Sequence, residues 1–242
     1  MSDNWYRDWF ADPRYLELYQ HRDELEANAL VTLIENIAGI DNNRKILDVA
    51  CGAGRHLIAF AQRGYHHLYG QDLSPTLINE ARKEAGDCQI QFTVRDMRDP
   101  IPESYDLILN IFTSFGYFAT DVENAHVIEN CSRALLPQGN FVLDYLNTGY
   151  LRQHLVAHDE KKLPSGSAVR QDREIIDDRV VKRITFEDGK EFIESVRLYK
   201  REEIERMFSG AHLEIVGCFG SYTGDAYDEL HSHRLIMIGK KQ

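Results

Sequence analysis

The sequence has few of the features that mark secreted, membrane or metal-binding proteins. Its four cysteines, Cys51, Cys88, Cys131 and Cys218, form no CxxC pair and match no zinc-binding spacing, so we expect reduced thiols and no metal site. No apolar run approaches the roughly 20 residues of a membrane-spanning helix. The N-terminus lacks the basic and apolar segments of a secretion signal. We therefore expect a cytoplasmic protein without a membrane partner.

An excess of basic residues is also missing. Lysine and arginine number 28 against 39 acidic residues, which gives a formal net charge of −11. Because affinity for phosphate groups rests on lysine and arginine, this balance disfavours a general nucleic-acid or anionic-membrane binder. A small-molecule partner is the remaining expectation. With 242 residues, 43% of them apolar, the chain is long enough for one large domain or for a domain with an insertion.

From residue 41 to residue 147, short apolar runs alternate with helical patterns. Such alternation predicts a parallel sheet with right-handed crossovers and helices packed on it. The run Tyr105–Phe112 is nearly all apolar, as expected of a strand that is buried on both faces. In parallel sheets of this kind, ligands bind at the carboxyl ends of the strands. Polar side chains at those ends are therefore the candidates for a binding site.

Two other parts of the chain break this rhythm. Residues 1–40 begin with a dense group of aromatic residues, which predicts a helical lid or cap. Residues 148–199 lose the helical period, alternate in polarity and contain the hairpin turn Asp188-Gly189, so we predict an inserted antiparallel meander of about three strands. Residues 41–147 and 200–242 then form the main domain.

The segment Lys45–His56 has the layout of a strand that feeds a helix through a glycine turn. Gly52 and Gly54 allow a tight turn and the close approach of a ligand. A dinucleotide fingerprint requires glycine at position 57, where the chain has Leu57. A phosphate-binding P-loop requires Lys-Ser/Thr after Gly54, where the chain has Arg55-His56. Neither of these two readings fits the loop.

Carboxylates surround this loop. Asp48 lies inside the first strand, and Asp72 follows Gly52 by 20 residues at the end of the next strand, a spacing that suits hydrogen bonds to ribose hydroxyls. Asp96 follows the third strand. These acidic groups disfavour a phosphate and favour a nucleoside that carries a positive charge.

Five segments resemble, in order and spacing, the motifs of the class I S-adenosylmethionine-dependent methyltransferases. They are Ile46–Gly54, Tyr69–Ser74, Arg95–Met97, Tyr105–Asn110 and Leu135–Phe141. The resemblance implies a Rossmann-like α/β fold with a seven-stranded, mostly parallel sheet whose last strand is antiparallel. It also implies S-adenosyl-L-methionine as the cofactor. The insertion at 148–199 would roof the methyl-acceptor pocket or form a dimer edge.

The same resemblance assigns roles to individual residues. Gly52 and Gly54 would flank the methionine part of the cofactor, and Asp72 would bind the ribose. Asp96 would reach the adenine amino group, with Leu73 or Met97 packed on the ring. The other predicted cofactor contacts are Asp48, Ala50 and Asn110 near the methionine end, and Tyr19 and Arg22 near the cofactor carboxylate.

Four residues are candidates for binding the methyl acceptor or for catalysis. Tyr117 follows the fourth strand and could orient the acceptor or pack in the core. Asp144 ends the fifth strand and could be a base or a structural cap. His231 and His233 precede the last strand and could supply a base that titrates near neutral pH, or lie exposed in a loop.

The sequence thus predicts an enzyme that moves a methyl group to a nitrogen or oxygen nucleophile of a small molecule. The alternatives are an RNA or protein methyltransferase, or a cofactor-binding module without transferase activity. A homodimer is compatible with the sequence. Nothing in the chain names the acceptor.

Overall fold

The alternating strands and helices fold into a sheet that carries helices on both faces. A computed structural model describes residues 4–19 and 24–242. The helices are α1 (Trp5–Ala11), α2 (Arg14–Tyr19), α3 (Glu24–Ala38), α4 (Arg55–Gln62), α5 (Pro75–Ala85), α6 (Asp121–Ala134), α7 (Thr148–His154) and α8 (Arg201–Gly210). The strands are β1 (Lys45–Val49), β2 (His67–Asp72), β3 (Ile90–Val94), β4 (Tyr105–Asn110), β5 (Leu135–Leu146), β6 (His158–Lys162), β7 (Ala168–Ile176), β8 (Arg179–Phe186), β9 (Glu191–Arg197), β10 (Leu213–Phe219) and β11 (Arg234–Lys241).

The larger sheet has seven strands in the order β10-β11-β5-β4-β1-β2-β3. β1 pairs in parallel with β2 and β4, and parallel pairing continues outward to β3 and β5. β11 lies antiparallel between β5 and β10. The predicted Rossmann-like, mostly parallel sheet with an antiparallel last strand is confirmed. Its parallel register brings the carboxyl ends of β1, β2, β4 and β5 to one edge.

Two apolar layers hold this sheet, one on each face. On one face, Leu30 of α3, Leu57 of α4 and Ile78 of α5 are fully buried. On the other face, Val127 of α6 and Phe208 of α8 are fully buried, in a layer that continues into α1 and the second sheet. Burial of apolar side chains on both faces explains the consecutive apolar residues at the centre of β1 and of β4.

The segment after residue 147 forms a second sheet, antiparallel, in the order β6-β7-β8-β9. It contains one strand more than the three that the sequence suggests. The additional strand is β6, His-Asp-Glu-Lys-Lys, which is almost wholly exposed and therefore has no apolar alternation to reveal it. The division into a lid, a main domain and an insertion remains a prediction.

Within residues 4–19 and 24–242, no helix combines the length and the apolar character that membrane crossing requires.

Candidate active site

The turn from β1 into α4 contains three residues with positive φ: Ala50 at 61°, Gly52 at 57° and Gly54 at 79°. This conformation is easy for glycine, whereas it costs a residue with a Cβ about 1–2 kcal/mol. Strain in the turn therefore falls on Ala50. The Cys51 N–H donates to the Gln71 carbonyl at 3.0 Å and ties the loop to β2.

The two glycines of this turn serve different purposes. A Cβ added at Gly52 would meet no atom within 4 Å, so this side of the loop opens onto free space. A Cβ at Gly54 would lie 2.9 Å from the ring of Phe92. Gly52 is therefore a place where a ligand approaches the backbone, while Gly54 permits close packing of α4 against the sheet. Gly54 is absent from the cavity wall described below.

Asp72 joins the glycine turn to the start of α5. Its Oδ2 accepts from the Gly52 N–H and its Oδ1 from the Ser74 N–H, both at 2.9 Å. Burial raises the pKa of Asp72, and the backbone N–H donors offset part of that effect. A carboxylate oxygen can accept more than one hydrogen bond. Both oxygens of Asp72 can therefore accept a further bond from a ligand in the cavity, which this side chain lines.

Asp48 has no such partners. Its side chain is 1% exposed, and both carboxylate oxygens are buried without a hydrogen bond. Burial raises the pKa of Asp48 well above its ordinary value, the nearby charge of Asp72 raises it further, and Arg55 acts in the opposite direction. An orphaned carboxylate on a cavity wall is costly by itself and favours a cationic ligand.

Leu73 and Met97 supply apolar surface beside these acids, and both line the cavity. Asp96 lies next to them and is largely occupied by Arg98, which donates to it from the backbone N–H at 3.0 Å and from the guanidinium at 2.8 and 3.2 Å. Burial would raise the pKa of Asp96, but these bonds outweigh that effect and lower it. A contact from Asp96 to an adenine amino group would compete with Arg98.

Asn110 lies behind the site rather than on its wall. It is fully buried, does not line the cavity, and donates from Nδ2 to the carbonyls of Val49 at 3.1 Å and Ser114 at 3.3 Å. It ties the end of β1 to the loop after β4. Asn110 therefore holds the backbone that forms the wall, and its predicted place beside the methionine end of the cofactor stays a prediction.

These strand ends open into a cavity of about 1170 Å³. One part of its wall, which we call the carboxylate half, comprises Asp48, Gly52, Asp72, Leu73 and Met97. Another part, the aromatic half, comprises Trp5, Phe10, Tyr15, Tyr19, Tyr117 and Glu194. Seven carboxylates line the whole cavity: Glu17, Asp48, Asp72, Glu80, Glu84, Asp96 and Glu194. The described lysines and arginines contribute only Arg55 and Arg95.

The rings of the aromatic half follow one another without a gap. Their centroids are 5.1 Å apart for Tyr19 and Tyr15, 4.9 Å for Tyr15 and Phe10, and 5.8 Å for Phe10 and Tyr117. Trp5 continues the series at 5.1 Å from Tyr117. Tyr117 therefore belongs to the cavity wall, which is compatible with the predicted role in orienting an acceptor.

Glu194 of β9 is the polar centre of the aromatic half. Its Oε1 accepts from the Trp9 indole at 2.7 Å and from the Tyr19 hydroxyl at 2.6 Å. Lys182, opposite it on β8, lies 3.4 Å from Oε2 and also donates to the Tyr19 hydroxyl. These bonds join α1 and α2 to the second sheet.

The C-terminal end of α1 is also attached to the carboxylate half. Ser74 donates to the Phe10 carbonyl at 2.6 Å, and Thr76 donates to the Ala11 carbonyl at 3.0 Å. Because α1 is bound on one side to α5 and on the other to β9, it covers the cavity. Of the two residues predicted at the cofactor carboxylate, Tyr19 lines the cavity, and Arg22 lies outside the described residues.

The second sheet is bound to the loop that carries Tyr117. The Arg179 guanidinium donates to the carbonyls of Gly116, Tyr117 and Phe118, each at 3.1 Å. The Arg197 N–H donates to the Gly116 carbonyl at 2.8 Å. Glu194 and Val196, two residues apart on β9, then reach the cavity from the same face of the strand.

Asp144 does not line the cavity, and both of its carboxylate oxygens bond to other parts of the protein. It is fully buried, accepts from Arg234 at 2.7 Å on Oδ1, and accepts from the Phe112 N–H at 2.9 Å and the Tyr222 hydroxyl at 2.8 Å on Oδ2. Phe112 and Thr113, which do line the cavity, have positive φ values of 59° and 62°. These bonds favour the structural alternative for Asp144, which positions this strained pair.

His231 and His233 do not line the cavity, so the geometry gives no support to the catalytic role expected for them, which stays a prediction. His231 is 81% exposed and bonds to Asp228 at 2.8 Å. His233 is exposed and its ring lies 4.4 Å from that of Tyr150. The neighbouring Arg234 points inward to Asp144, and adjacent residues at the start of a strand point to opposite faces.

Sequence reasoning missed Glu194, Thr113 and Trp9. Glu194 had a detectable signal, because it interrupts the apolar alternation Phe192, Glu194, Val196 and pairs across the hairpin with Lys182. When two oppositely charged residues face each other on paired strands, among otherwise apolar neighbours, the pattern indicates a polar site. Trp9 and Thr113 gave no comparable local signal.

Comparison with known proteins agrees with this geometry. Residues 46–139 match a family model described as a methyltransferase domain. An S-adenosylmethionine-dependent methyltransferase from Clostridium acetobutylicum has a similar structure, with a TM-score of 0.79 over 93% of this chain and 95% of that chain at 18% identity. Residues 46–139 are therefore similar to a methyltransferase domain, and the chain as a whole shares the fold of an S-adenosylmethionine-dependent methyltransferase.

Two proteins with a similar sequence have named activities. A dTDP-3-amino-3,4,6-trideoxy-alpha-D-glucopyranose N,N-dimethyltransferase from Streptomyces venezuelae is 31% identical over 41% of this chain and 41% of its own length. A dTDP-3-amino-3,6-dideoxy-alpha-D-glucopyranose N,N-dimethyltransferase from Streptomyces fradiae is 26% identical over 81% of this chain and 78% of its own length. The first match spans well under half of that relative.

Proposed function

We propose that the protein transfers a methyl group from S-adenosylmethionine to a nitrogen or oxygen nucleophile of a small molecule. The observation that carries this proposal is a single cavity with two contrasting halves. The carboxylate half presents an unpartnered buried acid, and the aromatic half presents a wall of rings. A cationic donor and an apolar or cationic acceptor would bind next to each other in such a cavity.

The residues of the carboxylate half fit the cofactor. Bound S-adenosylmethionine supplies a methyl group on a positively charged sulfur. Asp48, which has lost its hydration without gaining a partner, offers a compensating negative charge. The spare acceptor capacity of Asp72 suits ribose hydroxyls, and Leu73 and Met97 suit the faces of an adenine ring.

The aromatic half would hold the acceptor. Placing two reactants side by side contributes several kcal/mol to such reactions, since the entropy of bringing them together is lost on binding. The Asp144–Arg234 pair fixes Phe112 and Thr113, and Arg179 fixes the loop that carries Tyr117. The protein's contribution is therefore positioning and exclusion of water.

A small molecule suits this cavity better than a nucleic acid does. Seven carboxylates line it against two arginines in the described part of the chain, and the whole chain carries a charge of −11. A polymer of phosphates would be repelled from such a wall. The names of the two sugar N,N-dimethyltransferases also support a small acceptor, and they favour nitrogen as its nucleophile.

Calorimetry with S-adenosylhomocysteine and a panel of acceptors tests the proposal. The wild type should bind the cofactor product, and Asp72→Ala should bind it at least about tenfold more weakly, because a charged group contributes about 1.5–3 kcal/mol per hydrogen-bonded contact. Asp87→Ala, on a surface turn outside the cavity, is the matched control.

Release of S-adenosylhomocysteine on a small amine or alcohol would support transferase activity. Tight cofactor binding together with no turnover on any small acceptor, RNA or protein would favour the alternative of a cofactor-binding module. Equal affinity of the wild type and Asp72→Ala would reject the assignment of the ribose to Asp72.

A further inference from the structure

The aromatic half has the composition of a site for an organic cation. Five rings in contact line it, and cations bind over the faces of such rings when they are held within about 6 Å of a centroid. A cation already lies at one end of this wall, where Lys182 donates to the Tyr19 hydroxyl. The rings face the same cavity as the Glu194 carboxylate.

Glu194 supplies a fixed negative charge at the end of this wall. It is 20% exposed, its Oε1 accepts from Trp9 and Tyr19, and its Oε2 lies 3.4 Å from Lys182, so its position is set before a ligand arrives and a ligand ammonium would share the carboxylate with Lys182. A carboxylate oxygen accepts several hydrogen bonds, and an ammonium group is a donor of up to three. A ligand ammonium would therefore have both a hydrogen-bond acceptor and an aromatic surface.

The wall offers little to a phosphate. The Arg55 guanidinium lies 3.6 Å from Glu26 and 4.2 Å from the centroid of Phe112. Arg95 donates to the Pro100 carbonyl at 2.9 Å, and Lys182 is paired with Glu194. Recognition of a diphosphate needs guanidinium or ammonium donors directed at it, and the described basic groups at this cavity are engaged elsewhere.

Resting on the function proposed above, we propose that the acceptor is a small-molecule amine that carries no phosphate and binds as an ammonium ion between Glu194 and the rings of the aromatic half. Before transfer the ammonium gives one proton to the Glu194 carboxylate, and the nitrogen lone pair then forms the N–C bond as the methyl C–S bond breaks and S-adenosylhomocysteine leaves. This acceptor differs from the nucleotide-linked sugars in the names of the two relatives. The rings also tolerate methyl groups on nitrogen, since contact with an aromatic face does not require an N–H donor.

Binding of choline to the protein saturated with S-adenosylhomocysteine tests this proposal. The comparison ligand is 3,3-dimethylbutan-1-ol, which has the same shape and no charge. A third ligand, phosphocholine, adds a phosphate. We expect choline to bind at least about fivefold more tightly than the neutral isostere, because a desolvated cation–π contact and a carboxylate act only on the cation. Phosphocholine should bind more weakly than choline.

Variants locate the binding site. Glu194→Gln keeps an acceptor for Trp9 and Tyr19 but removes the charge, so the preference for choline should fall to about half or less of its wild-type ratio. Tyr117→Leu, which does not disturb Lys182, should also reduce it. Glu191→Gln is the matched control. Glu191 lies on β9, as Glu194 does, but it is exposed, pairs with Arg183 and does not line the cavity.

The outcomes separate the two proposals. Failure of the wild type to bind S-adenosylhomocysteine would reject the proposed function and this inference with it. Normal binding of S-adenosylhomocysteine with no preference for choline over its neutral isostere, or with a preference for phosphocholine, would reject the amine alone. A choline preference that survives both Glu194→Gln and Tyr117→Leu would place the cation elsewhere and overturn the inference.

Discussion

The two halves of the cavity are assembled in different ways. The carboxylate half comes from residues 48–97, where each side chain follows directly from the end of a neighbouring strand. The aromatic half joins α1, α2, the loop after β4 and β9. The Trp9–Glu194 hydrogen bond within it spans 185 residues. A binding surface built from adjacent strand ends depends on local backbone geometry, whereas one built from remote segments depends on tertiary packing.

The halves also differ in how their polar groups are satisfied. Asp48 in the carboxylate half is buried without a hydrogen bond, whereas Glu194 in the aromatic half is bonded to Trp9 and Tyr19. A group that lacks a partner destabilises the protein until a ligand supplies one. We infer that the carboxylate half gains stability from its ligand and that the aromatic half is already formed without one.

The largest effect is expected where the aromatic half rests on a buried ion pair. Asp144→Asn removes the charge opposite Arg234 and weakens the support of Phe112. Because breaking a buried pair leaves an uncompensated charge, we expect a loss of about 3–5 kcal/mol in the free energy of unfolding, measured in urea.

Asp172→Asn is the matched control for this variant. Asp172 forms an exposed pair with Arg170 at 3.0 Å, and exposed pairs contribute about 0–1 kcal/mol. In the folded fraction of Asp144→Asn, the KM for the acceptor should rise while the affinity for S-adenosylhomocysteine stays close to wild type. If binding of the acceptor and binding of S-adenosylhomocysteine weakened equally, the two halves of the cavity would not respond separately to this substitution.

The two glycines of the turn provide the next comparison. Gly54→Ala should cost about 2–4 kcal/mol of stability, since it combines a positive φ with a Cβ that overlaps the ring of Phe92. Gly52→Ala should cost only the backbone term of about 1–2 kcal/mol, but its Cβ occupies the ligand side and should weaken cofactor binding.

Thermal unfolding and calorimetry on the same samples separate these effects. Adding Phe92→Leu to Gly54→Ala should restore part of the lost stability and do nothing for Gly52→Ala. The distinction between a packing glycine and a ligand-facing glycine would be wrong if both single variants lost cofactor affinity to the same extent.

These glycines illustrate how far the sequence leads. It predicts the turn, the alternation of strands and helices, and the position of Asp72 at a strand end, because these follow from local patterns, while the seven-stranded sheet follows from the family resemblance. It does not distinguish Gly52 from Gly54, because Phe92 belongs to a different strand. It favours His233 for its chemistry alone. The pairing of Glu194 with Lys182 can be read from the hairpin, but its bonds to Trp9 and Tyr19, which bring it to the cavity wall, cannot. Local sequence patterns predict the fold and the carboxylate half of the cavity. The aromatic half depends on side chains that only tertiary packing brings together.

A smaller effect is expected at Asp48. Asp48→Asn removes a buried, unpartnered charge, so the ligand-free variant should be more stable than the wild type near pH 7.5 by about 1 kcal/mol, or roughly 2–4 °C in Tm. Affinity for S-adenosylmethionine should fall. A variant that is more stable without ligand but binds S-adenosylmethionine more weakly would show that Asp48 serves binding and not folding.

The pH dependence has a definite sign. Burial raises the pKa of Asp48 in the folded protein, so the stability that its protonated form contributes is complete below the unfolded value of about 3.9 and is lost as pH rises through the folded value. The Tm difference between Asp48→Asn and the wild type should therefore grow from pH 4 toward neutral pH. A difference that shrinks over this range would mean that Asp48 has a stabilising partner.

The smallest effect is expected at His233. Its exposed ring contacts Tyr150 outside the cavity, so His233→Ala should change turnover by less than about twofold, as is usual for surface substitutions. Tyr117→Leu, on the cavity wall, is the positive control and should lower turnover. If His233→Ala reduced turnover as much as Tyr117→Leu while cofactor affinity stayed intact, the loop before β11 would have to approach the acceptor. The aromatic half would then be only part of the acceptor site, because a wall formed by α1, α2 and β9 has no place for His233.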